Sequence, residues 1–399
     1  MYVVRPRDRS VCVITAVTAL LASACGRYHF DEQGDGDGDI GVGATCTPSP
    51  EVCDGLDNNC DNAVDEGCPC MPFDVTLPVS QGGSGLGLAW TGTRYMVHSA
   101  DATTWGIQNV EIDGTAGTYA SFVSSSTGGR GPMIAWTGSS LVVPFHDAVG
   151  HLDVFDGSLQ RIAGPTDYSS FAVPQAAEVV PSSDHAVLAW QDNRSGTFQT
   201  FVREVAPDGS LTTGEIPVDR PASPNLFAAS GDRYYIATSG TSLVMYVVTR
   251  SGQIISNMTL AQDPSIAAVD SIAVRADRIA VSWFKSNDTA ASYQVLDLDG
   301  VPVTAVATFP PLGAKPTRHA LLAATSDGFF MAGTTDSPAE IVGMEIRPDG
   351  SVLQSVSSLG DLAGVTMYGG VSTVAADHRR VVLVPEIAPL GLRVIATCP

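Results

Sequence analysis

Residues 189–209 read AWQDNRSGTFQTFVREVAPDG, and this stretch shows the structural theme of the chain. An apolar run ends in a polar turn at 191–196, a second run follows at 198–203, and the stretch closes on Asp208-Gly209. An Asp-Gly pair between alternating apolar runs is the strongest short-range signal for a β-hairpin. The stretch therefore predicts consecutive antiparallel strands joined by tight turns.

Related turns recur along the chain at a nearly constant distance. Counted from Gly92, the first turns of successive units are separated by 46, 46, 48, 45, 50 and 50 residues. Units of this length with four strands each are typical of the blades of a β-propeller. We therefore predict an all-β fold, a seven-bladed β-propeller over residues 71–399, with six blades as the alternative count. The first turns include Gly92, Gly138, Asp184, Asp232, Asp277, Asp327 and Asp377, and the closing turns include Gly114, Gly157, Gly209, Gly252, Gly300 and Gly350.

The last unit has only three strand-like segments, at 370–375, 380–385 and 391–397. Residues 73–80, reading FDVTLPVS, form a strand-like segment that belongs to no unit of its own. We predict that this segment supplies the missing fourth strand and closes the ring. Antiparallel pairing would then place Cys398 beside Cys70, which predicts a Cys70–Cys398 disulfide across the seam.

The charge balance excludes one class of partner. The chain has 42 acidic and 21 basic side chains, a net charge of −21, so it would repel a phosphate backbone and we expect no nucleic-acid partner. With 44% hydrophobic residues it is too apolar to be disordered throughout. Eleven of the acids lie in residues 26–70, so the imbalance is concentrated before the repeats.

The first 24 residues have the features of an export signal. Three arginines in residues 1–10 precede an apolar run at 11–24, which is too short to span a bilayer as a stable helix. The run ends in Leu21-Ala-Ser-Ala-Cys25-Gly26, which resembles a bacterial lipobox, although the leucine lies four residues before the cysteine instead of three. That resemblance implies a signal peptide at 1–24, lipidation of Cys25 and an outer-membrane lipoprotein on the periplasmic or cell-surface side. The alternative is an ordinary secretory signal cut near Ala24, and both predict export.

Residues 25–45 predict a tether, because DEQGDGDGDIGVGA at 31–44 has almost nothing to bury. Once the signal cysteine and Cys25 are set aside, six cysteines remain, an even number that suits three disulfides in an exported protein. With Cys398 assigned to Cys70, the other four are expected to pair among themselves in an order the spacing leaves open. These four are Cys46, Cys53, Cys60 and Cys68.

Residues 46–70, CTPSPEVCDGLDNNCDNAVDEGCPC, predict a small disulfide-rich metal-binding segment. Oxygen ligands fall at alternating positions, a spacing that lets a loop wrap a hard cation with six to eight oxygens, so the expected ion is calcium (Ca²⁺). Asn62 stands where such loops usually turn on glycine, and asparagine tolerates that conformation better than most residues. The alternative is a disulfide-stapled acidic spacer that binds nothing tightly. The candidate ligands are Asp54, Asp57, Asn59, Asp61, the carbonyl of Ala63, Asp65 and Glu66.

The same segment resembles the short metal-binding motif of the MopE type, a pattern of Cys-Asp-Gly-x-Asp-(Asn/Asp)-x-Cys-Asp-x-x-x-Asp-Glu found in bacterial surface and secreted proteins. The match covers about 25 of the 399 residues, with Asn62 in place of the usual glycine. The name of the family suggests copper, but the segment offers no His or Met ligand, so calcium is favoured over copper. The matching residues are Cys53, Asp54, Gly55, Asp57, Asn58, Cys60, Asp61, Asp65 and Glu66.

The third unit also resembles a repeat found in exported bacterial propellers, through its Trp-x-Asp-x-Arg turn at 190–194 and its closing Asp-Gly. We expect Trp190 to pack between blades, and Asp192 and Arg194 to hold a loop.

The repeats contain no nucleophile elbow, zinc-protease motif or Walker sequence. The preferred prediction is therefore a non-enzymatic binding or scaffold module for a protein or glycan, monomeric and attached to the membrane by its lipid. The alternative is a propeller-type hydrolase or lyase that acts on extracellular polysaccharide, because catalytic groups from different blades leave no spacing signal.

Overall fold

The structure is a computed structural model, and it describes residues 72–77, 85–100, 104–123, 134–146, 149–172, 175–182, 184–218, 226–239, 242–262, 266–285, 290–311, 317–335, 340–361, 372–376, 379–387 and 390–398. The chain divides into two compact units, Met1–Asp37 and Gly38–Pro399, and every described residue belongs to the second. Within the described ranges, no helix is long and apolar enough to cross a membrane.

The regular elements form seven four-stranded antiparallel sheets, which confirms the seven-bladed β-propeller; the alternative count of six was wrong. Blade 1 contains β2 (Gly85–Trp90), β3 (Arg94–Ala100), β4 (Thr104–Glu111) and β5 (Ala116–Val123). Blade 2 contains β6 (Ala135–Trp136), β7 (Leu141–His146), β8 (Val149–Phe155) and β9 (Arg161–Ala172). Blade 3 contains β10 (Gln175–Pro181), β11 (Ala186–Asp192), β12 (Gln199–Val205) and β13 (Ile216–Pro217).

Blade 4 contains β14 (Leu226–Ser230), β15 (Arg233–Thr238), β16 (Leu243–Thr249) and β17 (Ile254–Ala261). Blade 5 contains β18 (Ile266–Val274), β19 (Ile279–Lys285), β20 (Ser292–Leu296) and β21 (Ala307–Thr308). Blade 6 contains β22 (Thr317–Ala324), β23 (Phe329–Thr335), β24 (Glu340–Ile346) and β25 (Val352–Asp361). Blade 7 contains β26 (Ser372–Ala376), β27 (Arg379–Ile387), β28 (Leu390–Thr397) and β1 (Phe73–Leu77).

The first strand of each blade contacts the first strand of the next, from β2 and β6 round to β22 and β26. β26 in turn contacts β2, so the blades form a closed ring. The second, third and fourth strands follow outward in order, and short fourth strands such as β13 and β21 leave little exposed edge.

The seam of the ring is the pairing of β1 with β28, which confirms that the segment before the first unit completes the last blade. Phe73 pairs with Ala396 and Leu77 with Leu392, and Arg393 donates to both carboxylate oxygens of Asp74 across the pair. Cys398 lies directly after β28 and is disulfide-bonded. Cys70 lies outside the described residues, so the Cys70–Cys398 pairing stays a prediction.

The core lies between the blades. The described residues form seven hydrophobic clusters, and each cluster combines side chains of two neighbouring blades. Successive strand residues point to opposite faces, so the middle strands are buried on both sides and read as continuous apolar runs. In β3, Tyr95 and Val97 pack against blade 7, whereas Met96 packs against blade 2.

One predicted turn was displaced. The closing turns at Gly114, Gly209, Gly252, Gly300 and Gly350 adopt φ values of 79–86°, as an Asp-Gly turn requires. In blade 2 the left-handed position falls on Leu159 (φ 65°), two residues after Gly157. Leu159 is 7% exposed and packs in the cluster between blades 1 and 2. That burial explains why a leucine occupies a conformation that favours glycine.

Candidate functional site

The predicted lipidation site Cys25 and the predicted calcium ligands from Asp54 to Glu66 lie outside the described residues. The same holds for Cys46, Cys53, Cys60 and Cys68. Within the described ranges, no group of three or more His, Cys, Asp or Glu side chains is arranged to hold a metal ion.

The Trp-x-Asp-x-Arg turn has the structural role expected of it. Trp190 is fully buried between blades 2 and 3, and its Nε1 donates to Asp192 Oδ2 at 3.3 Å. Arg194 lies 4.0 Å over the ring of Phe201 and donates to both Asp192 and Glu215. All three guanidinium nitrogens of this arginine donate to acceptors of the protein.

Two further ion pairs connect neighbouring blades. Glu204 of blade 3 accepts from two nitrogens of Arg250 of blade 4 and from the Tyr234 hydroxyl at 2.7 Å. Glu345 of blade 6 accepts from Nε of Arg380 of blade 7 at 2.5 Å, and both side chains are less than 10% exposed. In both pairs the carboxylate is buried, whereas Arg250 is 48% exposed and Arg380 is buried.

A pocket of about 440 Å³ lies between the outer strands of blades 1 and 2. Its walls come from β4 and β5 on one side and from β7, β8 and β9 on the other. The volume falls in the usual range for a small-molecule site. It lies away from the innermost strand of each blade. The lining residues are Trp105, Ser121, Phe122, Phe145, His151, Asp153, Arg161 and Pro165.

One wall of the pocket is aromatic. Trp105 stacks on Phe122 with ring centroids 4.3 Å apart and an interplanar angle of 26°. The ring centroids of Phe145 and Trp105 are 6.0 Å apart, with an interplanar angle of 29°. At this distance the two rings lie side by side instead of face to face. Trp105 is only 2% exposed, whereas Phe122 and Phe145 are half-buried. The two phenylalanines therefore present the accessible part of the wall.

The polar groups lie on the blade 2 side of the pocket, where His151 is the cross-strand neighbour of Phe145. His151 and Asp153 are two residues apart on β8, so they lie on the same face of that strand. His151 Nδ1 lies 2.7 Å from Asp167 Oδ1, which holds the imidazole ring in place. Arg161 Nη1 lies 3.3 and 3.5 Å from the two oxygens of Asp153.

Asp153 and Arg161 differ sharply in exposure. The Asp153 side chain is 3% exposed, and burial raises the pKa of its carboxyl while Arg161 and His151 oppose the shift. The Arg161 side chain is 49% exposed. The pocket thus combines a buried carboxyl with an accessible guanidinium beside aromatic rings, an arrangement suited to binding a ligand with both apolar faces and hydroxyl or acidic groups.

Another buried carboxyl whose pKa is raised, Glu178 of β10, lies elsewhere. It is 2% exposed at the junction of blades 3 and 4, and burial raises its pKa well above the usual value. It does not line the pocket and contacts the backbone of Phe227 instead.

Sequence reasoning did not identify the pocket residues. The spacing of His151 and Asp153 was the available signal, because residues two apart on a strand share a face. Nothing in the sequence indicated that Trp105 and Phe122 of blade 1 would face them.

No known protein family and no curated protein matches this chain. Solved structures do match it. Hydrazine synthase of Kuenenia stuttgartiensis matches with a TM-score of 0.55 and 11% identity, covering 80% of this chain and 97% of that chain. A structure of BBS1N in complex with ARL6DN matches with a TM-score of 0.51 and 12% identity, covering 82% and 97%. At these identities the likeness concerns the fold alone, and it places this chain among the β-propellers.

Proposed function

We propose that this chain is an exported, lipid-anchored surface protein whose propeller binds a glycan in the pocket between blades 1 and 2. The observation that carries the proposal is the pairing of half-buried aromatic rings with planar hydrogen-bonding groups in one pocket. The C–H faces of a sugar ring pack on aromatic rings, and its hydroxyls exchange hydrogen bonds with carboxyl and guanidinium groups. A protein partner would be expected to require a larger and flatter surface.

Phe145 provides the direct test of glycan binding. Phe145→Ala removes an accessible ring of the aromatic wall, so we expect it to weaken the affinity for the glycan about tenfold, equivalent to about 1.4 kcal/mol. The ligand is first found by screening the mature chain on a glycan array, and the affinity is then measured by calorimetry.

Phe198→Ala is the matched control, because Phe198 is a 43% exposed aromatic residue of blade 3 that does not line the pocket. Equal affinities of the wild type, Phe145→Ala and Phe198→Ala would show that the glycan binds elsewhere. Shortened or unsaturated oligosaccharides after long incubation would instead establish the polysaccharide hydrolase or lyase.

The proposal includes a calcium site in residues 46–70, because the oxygen ligands of that segment alternate as a calcium loop requires. Removing the ion with EDTA is expected to lower the melting temperature, and added calcium to restore it, because a ligand of the folded state stabilises it by mass action. Magnesium at the same concentration serves as the control for ionic strength. An unchanged melting temperature in EDTA and in calcium, with no calcium in elemental analysis, would refute the site.

A further inference from the structure

Arg161 makes longer contacts with its buried carboxylate partner than Arg194, Arg250 and Arg380 make with theirs. Arg194 and Arg250 each use two or more nitrogens on carboxylate partners. Arg161 reaches Asp153 through Nη1 alone, at 3.3 and 3.5 Å. In the described part of the chain, its other guanidinium nitrogens make no hydrogen bond, and half of the side chain is exposed at the wall of the pocket.

A half-exposed guanidinium with N–H groups that make no hydrogen bond can bind an anion. Its planar fork matches the two oxygens of a carboxylate and forms two parallel, charge-assisted hydrogen bonds. Asp153 competes weakly, because its contacts are long and burial raises its pKa, which disfavours the charged form.

The remaining charges near the pocket do not cancel this preference. Asp167 is 68% exposed, and its carboxylate already faces His151. Arg161 is the one arginine or lysine side chain among the described lining residues of the pocket.

We propose that the pocket selects glycans that carry a carboxylate, as uronic acids do, and that Arg161 is the residue that binds it. This inference rests on the proposed glycan-binding function. The sugar ring packs on Phe122 and Phe145 while its carboxylate pairs with Arg161.

The test uses oligosaccharides of galacturonic, glucuronic and mannuronic acid, each beside its carboxyl-reduced counterpart, which has the same ring without the charge. We expect the wild-type chain to bind its best acidic ligand at least tenfold more tightly than the reduced form. Arg161→Gln is expected to abolish this difference, and Arg161→Lys to retain only part of it, because lysine cannot pair bidentately. Arg347→Gln, which changes an exposed arginine outside the pocket, is the control and is expected to bind as the wild type does.

The pH dependence is a second readout that a merely structural role of Arg161 would not produce. Burial raises the pKa of Asp153, so lowering the pH towards that pKa should remove the competing charge and raise the affinity for the uronate. Asp153→Asn, which has no carboxyl to protonate, is expected to abolish this rise.

The outcomes are distinguishable. If the wild type binds acidic and reduced sugars equally, or if Arg161→Gln keeps the preference for the acid, the inference is overturned while glycan binding stands. If neither these sugars nor any neutral glycan on the array binds, the proposed function itself fails.

Discussion

Replacing Cys398 with serine is expected to lower the free energy of unfolding by about 4–5 kcal/mol, the value that the chain-entropy account assigns to a crosslink closing a loop of over 300 residues. Cys398 is disulfide-bonded and follows β28, which pairs with β1 at the seam of the ring. With Cys70 as its partner, the bond joins the two ends of the propeller and removes much of the freedom of the unfolded chain. Urea denaturation of the oxidised protein measures the loss.

Variants at the predicted partner test the pairing itself. Cys70→Ser is expected to cause the same loss as Cys398→Ser, and the double variant no further loss, because all three remove one bond. The double variant also leaves no unpaired thiol from this bond to exchange with Cys46, Cys53, Cys60 or Cys68. Peptide mapping that joined Cys398 to Cys46, Cys53 or Cys60 would refute the pairing.

Arg380→Ala is expected to destabilise the propeller by about 3–5 kcal/mol, because it leaves a buried carboxylate without its counter-ion. Glu345 is 4% exposed and Arg380 7% exposed, and their side chains meet at 2.5 Å between blades 6 and 7. Neither group can regain water when its partner is removed. Chemical denaturation at pH 7 measures the effect.

A matched pair and a double variant make this result interpretable. Arg94 and Glu111 form an ion pair at 3.6 Å with both side chains about one-third exposed, so Arg94→Ala is expected to cost less than about 1 kcal/mol. Replacing both Glu345 and Arg380 with apolar residues of similar size should recover most of the stability. A loss in Arg380→Ala no larger than that in Arg94→Ala would contradict the importance of the buried pair.

The blades themselves were predictable because their signals are local. Turn glycines such as Gly92 and Gly209 need a left-handed backbone, and alternating apolar residues need two buried faces. Both requirements act within a few residues and recur every 45–50 residues. The displaced turn of blade 2 escaped prediction, because the burial of Leu159 against blade 1 outweighed its strain and no local pattern reports that burial.

The pocket, too, was predictable from the sequence only in part. The shared face of His151 and Asp153 could be deduced from the strand period, but their position opposite Phe122 depends on how blades 1 and 2 pack. Arg161 could not be recognised as a site residue from the sequence. What distinguishes it is the long contact of a single nitrogen with Asp153 and the exposure of its side chain, and both depend on the folded structure.

By itself, the sequence determined the class of fold, the number of blades and the closure of the ring by an early strand, because backbone conformation and strand amphipathicity are properties of neighbouring residues. Only the tertiary structure decided which side chains form the pocket and which charges are paired between blades. Those depend on contacts between segments far apart in the chain, such as Arg393 with Asp74 across the seam. The distance between two charged side chains, their burial and the free-energy cost of removing them from water are fixed only when the blades pack together.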